Sequence, residues 1–293
     1  MGNDGMRCEN NRMKIRMSWA RKVAMVATLL VATGNDGWAG DFIRVTETDQ
    51  LAKLQTAVFG YEKDGVRVDL IGAIHLADER YYEFLNKHFE TYEVILFEMV
   101  GGENLGGGKK PAVLQGAEKE DKLAGLRVIY ETMEKALGLT GQGALIDYFA
   151  ENFVHADLTM AEFEALQEEK GESLLSFMIQ AGIAAKKPSR EPNSLNLMRG
   201  MLSGRPDLVK LELMHTMAEG DKQIDSLAGE NVIISDRNAK CLEVLETQAA
   251  AGRKHIGVFY GAAHFPDMER QLLGKGYKQV SRKWLTAWRV AKE

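Results

Sequence analysis

Two histidines close apolar runs of strand length in matching surroundings: Val68-Asp69-Leu70-Ile71-Gly72-Ala73-Ile74-His75 and Ile256-Gly257-Val258-Phe259-Tyr260-Gly261-Ala262-Ala263-His264. Each histidine follows Gly-Ala-x, and an aspartate stands three residues later, at Asp78 and Asp267. An imidazole accepts a proton or ligates a metal at neutral pH, and small residues beside it leave room for a ligand. A buried strand of an open α/β sheet delivers its last residues to the sheet rim, where ligands bind. Two such strands bring two imidazoles to one rim.

Two charged residues stand where apolar ones are expected. Glu98 follows Val94-Ile95-Leu96-Phe97, a run that demands burial, and an isolated buried carboxylate costs several kcal/mol unless it is paired or bound to a cation. Arg237 falls on the helix face marked by Ile234, Cys241 and Leu245, while Asp236 and Lys240 read as an outward i,i+4 pair. The plainer alternatives are a strand that emerges into water at Glu98 and a snorkelling surface arginine.

The remaining candidates are weaker. His88 and His255 flank predicted elements and read as solvent-facing, while His155, before Asp157, and His215 read as lining an insertion. There is no His-Glu-x-x-His, no Gly-x-Ser-x-Gly elbow, and Cys241 on a buried helix side is no thiol nucleophile. The Gly-rich stretch from Gly101 to Pro111 lacks the spacing of a phosphate loop and reads as a linker or lid hinge.

The elements that must position these residues follow from periodicity. From Phe42 to Val68 the pattern predicts a short helix and then strands around a hairpin turn at Lys63-Asp64-Gly65. Asp78 is expected to cap a helix running to about His88, and Asp267 one over Met268 to Leu273. Tyr92 to Val100 predicts a buried strand. Glu118 to Lys187 has helical periodicity, with a capping box at Thr159-Met160-Ala161-Glu162. Helices are also expected around Leu208 to Met217 and over Asn231 to Gln248, and an edge strand carrying two tryptophans over Tyr277 to Trp288. The fold class is therefore α/β: a central sheet with a duplicated strand, Gly-x-x-His and helix unit, and a largely helical insertion, about residues 104–228, over the sheet rim.

Basic Arg12, Lys14, Arg16, Arg21 and Lys22, an apolar run from Val23 to Ala32, and small residues through Gly40 form the order of a secretory signal. The run is shorter than the ~20 residues that span a bilayer. The expected organisation is a signal peptide over residues 1–40 and a single domain over 41–293, exported to the periplasm or beyond, with no stable transmembrane segment after cleavage. Residues 1–40 hold six basic and three acidic groups of the 37 and 42 in the chain, so the remainder carries 31 and 39, a net of −8. That charge disfavours nucleic acid as a partner. Only Cys241 remains after the cut, so no intramolecular disulfide can form.

Gly72-Ala73-Ile74-His75, the Glu98 strand, Arg237-Asn238 opening a helix, and Gly261-Ala262-Ala263-His264, in that order, resemble the TraB/PrgY/GumN family, related to the TIKI metalloproteases and more distantly to erythromycin esterases. The resemblance covers most of residues 55 to 275. It implies an α/β core with two Gly-x-x-His strands at one rim and, through the TIKI proteins, divalent-metal-dependent peptidase activity.

The function expected is an exported metal-dependent hydrolase, a peptidase acting on a peptide or small-molecule substrate. His75, Glu98 and His264 would hold Mn²⁺, Co²⁺ or Zn²⁺, and Glu98 and Arg237 would serve catalysis. The alternatives are a metal-free esterase-like hydrolase using His and Glu and a binding protein that captures a peptide or haem without turnover. Protein recovered from the exported fraction is expected to begin near Asp41; mass spectrometry that finds an intact N-terminus between Met1 and Met17 there removes the signal assignment.

Overall fold

In the computed structural model, residues 41–108, 124–171, 192–224 and 232–292 are described. The expected signal segment at 1–40 lies outside them, as do parts of the expected insertion. The elements, in chain order, are β1 (Ile43–Glu47), β2 (Leu51–Lys63), β3 (Val66–Ala73), β4 (Leu76–Ala77), α1 (Glu79–Phe89) and β5 (Val94–Phe97). Then come α2 (Ala124–Leu137), β6 (Thr140–Gly141), α3 (Gln142–Leu145), β7 (Phe153–His155), α4 (Met160–Lys170), α5 (Ser194–Ser203) and α6 (Pro206–Ile224). A π-helical turn at Val232–Asp236 leads into α7 (Arg237–Ala250), followed by β8 (His255–Gly261), α8 (Phe265–Gly274) and β9 (Lys278–Ala291).

The hairpin at Asp64-Gly65 sets the register of the sheet. Both residues have positive φ, 51° and 75°, the backbone twist that a two-residue turn between right-twisted strands requires, and Lys63 pairs with Val66. The helix expected just after Phe42 is instead β1, whose Ile43, Val45 and Thr46 are β-branched and fit a half-buried edge. β1 pairs the first half of β2 and β3 the second half, while β9 follows β2 for nearly its whole length on the other side. β9 is the expected edge strand, with Trp284 and Trp288 on it.

Beyond β3 the sheet is parallel, in the order β3, β8, β5, β7. These strands are nearly continuous in apolar residues because both faces are covered. The fold is a mixed α/β one with a central seven-stranded sheet. Two features differ from the sequence reading. β7 belongs to this sheet although it lies within the stretch read as helical; three residues carry too little pattern to show against their neighbours. The second unit also does not repeat the capping of the first. Asp78 holds the N-cap position of α1, but its carboxylate binds Lys210 Nζ at 3.1 Å and the Arg289 N–H at 2.8 Å instead of capping. Asp267 sits inside the first turn of α8, because a 3₁₀ turn at Ala262–His264 runs straight into the helix.

The capping box of α4 forms as expected, with Glu162 N–H on Thr159 Oγ1 at 3.1 Å and Thr159 N–H on Glu162 Oε2 at 2.8 Å. Asp236 and Lys240 do not pair with each other. α4 lies beside them, so Asp236 binds Lys170 and Lys240 binds Glu162. Among the described residues no helix is long and apolar enough to cross a membrane.

Where β3 ends, the chain leaves the sheet and its carbonyls need new donors. Tyr81 Oη donates to Gly72 O at 2.7 Å, Tyr82 Oη to Ile74 O at 2.7 Å, Gln142 N–H to His75 O at 2.9 Å, and Trp288 Nε1–H to Leu76 O at 2.6 Å. Tyr81, Tyr82 and Trp288 are all buried. The irregular segment that carries His75 is thereby held on both sides. Tyr82→Phe, which removes one buried donor and little volume, is expected to destabilise the fold by about 1–3 kcal/mol, read from urea denaturation; an unchanged midpoint shows that the Ile74 carbonyl does not depend on it.

Candidate functional site

The carboxyl ends of the four parallel strands lie along one rim, and each is followed within three residues by a polar side chain: His75 after β3, Glu98 after β5, Asp157 after β7 and His264 after β8. α7 begins at this rim and contributes Arg237 as its first residue.

Arg237 is the centre of the cluster. Its Nε donates to Asp157 Oδ1 at 3.0 Å and its Nη2 to Asp157 Oδ2 at 2.7 Å, the planar fork that a carboxylate accepts in parallel. The same Nη2 lies 2.6 Å from Glu98 Oε1. Asp157 is 1% exposed, and its Oδ1 also accepts the Leu158 N–H. Glu98 completes its bonding through Oε2, which accepts the Gly261 N–H at 2.5 Å. A Cβ on residue 261 would sit 3.2 Å from that oxygen, so the close approach of this backbone favours glycine. Burial alone would raise the Glu98 pKa. Arg237, His264, His75 and the Gly261 N–H outweigh it and hold the carboxyl well below the usual carboxylate range. Burial alone would likewise lower the Arg237 pKa, and Glu98 and Asp157 reverse that, so the guanidinium stays charged.

His264 is 3% exposed and is oriented by a chain of hydrogen bonds. Asn238, the second residue of α7, gives both amide hydrogens away: Nδ2 donates to Asp267 Oδ2 at 2.7 Å and to His264 O at 3.2 Å. Its Oδ1 is therefore an acceptor, and His264 Nδ1, 2.6 Å away, must be the donor. The proton sits on Nδ1, and the Nε2 lone pair is left facing Glu98 Oε1 across 3.6 Å. Burial pushes the His264 imidazole down to about 4, with Arg237 and His75 acting in the same sense and Glu98 and Asp157 against it. The imidazole is neutral at physiological pH.

His75 reaches the same region. It is half-buried, packs edge-on to Tyr130 with ring centroids 6.0 Å apart, and lies close enough for its charge to act on both Glu98 and His264. The Tyr130 and Tyr148 phenols are pushed up by burial and then by Glu98, so both keep their protons. Cys241, raised by burial, is likewise no nucleophile.

The structure thus brings Glu98, Arg237 and His264 into contact, with His75 nearby beside Tyr130. It adds three residues that the sequence reading did not place in the site, Asp157, Asn238 and Asp267. The one available signal for Asp157 was its place after the apolar pair Phe153-Val154, which is too short to stand out from the surrounding text. Asn238 appeared only beside Arg237 at the opening of a helix, and Asp267 was read as a helix N-cap. His155 ties the loop after Glu98 through Met99 O at 2.7 Å. His88 and His255, read as solvent-facing, are half-buried against Tyr92, which donates to buried Asp69 at 2.8 Å. His215 pairs with Glu47.

The donor set is chemically suited to a borderline divalent ion. A 3.6 Å gap between His264 Nε2 and Glu98 Oε1 is near the separation of two ligands on one tetrahedral ion with bonds of about 2.1 Å. With His264 neutral, Glu98, Asp157 and Arg237 leave one net negative charge. Among the described residues no group of three or more His, Cys, Asp and Glu side chains is close enough to hold a metal, so a third ligand such as His75 would have to draw in.

Compared with protein-family models, curated proteins and solved structures, the chain matches none. The likeness to the TraB/PrgY/GumN family rests on the motif residues alone.

The His264 shift has a consequence for stability. The unfolded imidazole titrates near 6.5 and the native one at about 4, so between those values the unfolded chain binds more protons and stability falls as the pH drops. The loss is about 3 kcal/mol at most. Glu98, with a depressed native pKa, contributes stability that is lost only as the pH falls below the ordinary carboxylate range. Urea unfolding of metal-free protein is expected to show a slope between pH 6.5 and 4 that flattens in His264→Gln; an unchanged slope assigns the acid limb to other groups.

Proposed function

We propose that this chain is an exported metal-dependent hydrolase acting on peptide or amide bonds at the rim of the parallel strands, with His75, Glu98 and His264 as the metal ligands. The observation that carries this reading is the His264 Nε2, left as an acceptor by the Nδ1–H bond to Asn238, 3.6 Å from the ionised Glu98 carboxylate. Two acceptors in that arrangement call for a cation or a proton between them.

The ionisation states narrow the roles. Glu98 stays ionised through the physiological range and does not begin a cycle as a proton donor. His264, at about 4, is a weak base for work near pH 7 and a better ligand than general base. Arg237, aimed by Asp157, keeps Glu98 charged and fixes its carboxylate plane. When bound, a divalent ion supplies Lewis acidity toward a carbonyl oxygen and a nucleophilic water at neutral pH.

One contact favours a second reading: Arg237 already supplies a cation to Glu98 Oε1 at 2.6 Å, as a metal-free hydrolase using His and Glu would need. Metal analysis of the purified exported protein, with peptide-library cleavage before and after chelation, separates the two. Expected are bound Mn, Co or Zn, activity lost with chelator and restored by metal, and loss of the metal in His264→Ala with the fold intact by circular dichroism. Full activity without metal replaces this reading with the metal-free one, and capture of peptide or haem without product replaces both with a binding protein. Glu98→Gln and Arg237→Met are expected to be non-additive, the double variant losing little more than the worse single, and Arg237→Lys to rescue poorly because an ammonium lacks the fork.

A further inference from the structure

A cavity of about 350 Å³ lies between the α5–α6 pair and the ends of β1 and β9, and shares no residue with the rim site. Three carboxylates line it. Glu47 is matched by His215 and Lys292. Asp207 takes the Arg205 guanidinium in a fork, with Nε on Oδ1 at 3.1 Å and Nη2 on Oδ2 at 2.7 Å. Glu212 differs. It is 5% exposed, and its oxygens accept only the Asn193 N–H at 2.9 Å and Asn196 Nδ2 at 2.7 Å. Among the described residues it forms no ion pair, and the basic side chains of the lining, Arg205, His215 and Lys292, are engaged by Asp207 and Glu47.

Two neutral donors satisfy a carboxylate's hydrogen bonding but not its charge, and a buried charge without a counter-ion is costly. A glutamine could accept only one of the two bonds, so the pair of donors already calls for a carboxylate; what they leave unmatched is its charge. The wall beside it supplies Leu208 and Leu211, and the volume lies at the small end of ligand sites.

We propose that this cavity binds a small aliphatic amine, with Glu212 as the counter-ion of its ammonium group and Leu208 and Leu211 against its hydrocarbon stem. The amine completes the charge balance that the other two carboxylates find within the chain. Pentanediol, of the same length but neutral, and pentanoate, of opposite charge, lack the group that Glu212 needs.

Isothermal titration calorimetry of the whole exported protein with cadaverine tests this. Expected is saturable binding of cadaverine, none of pentanoate, and much weaker binding of pentanediol. Glu212→Gln, which keeps an acceptor for Asn196, is expected to weaken cadaverine binding at least about tenfold. Ala291→Trp, on an exposed residue of the cavity lining, obstructs the site without touching Glu212 and is expected to weaken it similarly, which keeps the test valid should Glu212→Gln unfold. No heat with cadaverine at millimolar concentration, equal binding of pentanediol, or undiminished affinity in both variants overturns the proposal.

Discussion

The rim of this sheet depends on one guanidinium that is largely shielded from solvent. Arg237 is flanked by Asp157 on one side and Glu98 on the other, and each of the three would be costly alone in a space that solvent barely reaches. The three belong to different segments: Glu98 follows β5, Asp157 follows β7, and Arg237 opens α7. Satisfying one side chain therefore fixes the relative placement of two strands and a helix. Hydrophobic burial would tolerate small shifts among them; a forked ion pair with bonds of 2.7 and 3.0 Å does not.

The two histidines are positioned by different means although their motifs match. The segment around His75 leaves the sheet irregularly, so buried tyrosines and a tryptophan hold its carbonyls, and the imidazole itself is left half-exposed. His264 lies in a 3₁₀ turn that continues into a helix, and it is the ring, not the backbone, that is held, through Asn238 and Asp267. Register adds to the asymmetry: Gly72 pairs with Tyr260 and Ala73 with Gly261, so the motifs are offset by one residue. The first imidazole is half-exposed beside Tyr130, and the second is buried with its Nδ1–H held by Asn238.

This contrast bears on what the sequence made legible. Glu98 and Arg237 stood out because charged types interrupt apolar patterns, and the α/β sheet with an edge strand over Tyr277 to Trp288 followed from runs and periodicity. Asp157 escaped because β7 is three residues long, and its polar neighbours resemble the helical text around it. Asp267 was misread because an aspartate three residues past a histidine looks like an N-cap unless the intervening turn is already helical. The pairing of Asp236 and Lys240 failed for a tertiary reason: α4 offered each a partner, and i,i+4 attraction on a helix surface is only a few tenths of a kcal/mol. Local pattern reveals which residues are out of place, whereas their partners come from strands too short or turns too irregular to have a pattern.

The charge state of the rim then limits its chemistry more than its residue types do. A histidine beside a glutamate suggests a proton relay, yet here the carboxylate is held ionised by Arg237 and the imidazole is held neutral by burial. Neither has a proton to give at the shared gap, since the one imidazole hydrogen is committed to Asn238. A relay would need the His264 pKa near 7; desolvation has moved it well below. At Oε1 the positive charge already present is Arg237 Nη2, at 2.6 Å, so the geometry that weakens a general-base role for His264 leaves its Nε2 as an acceptor beside a carboxylate that is already paired.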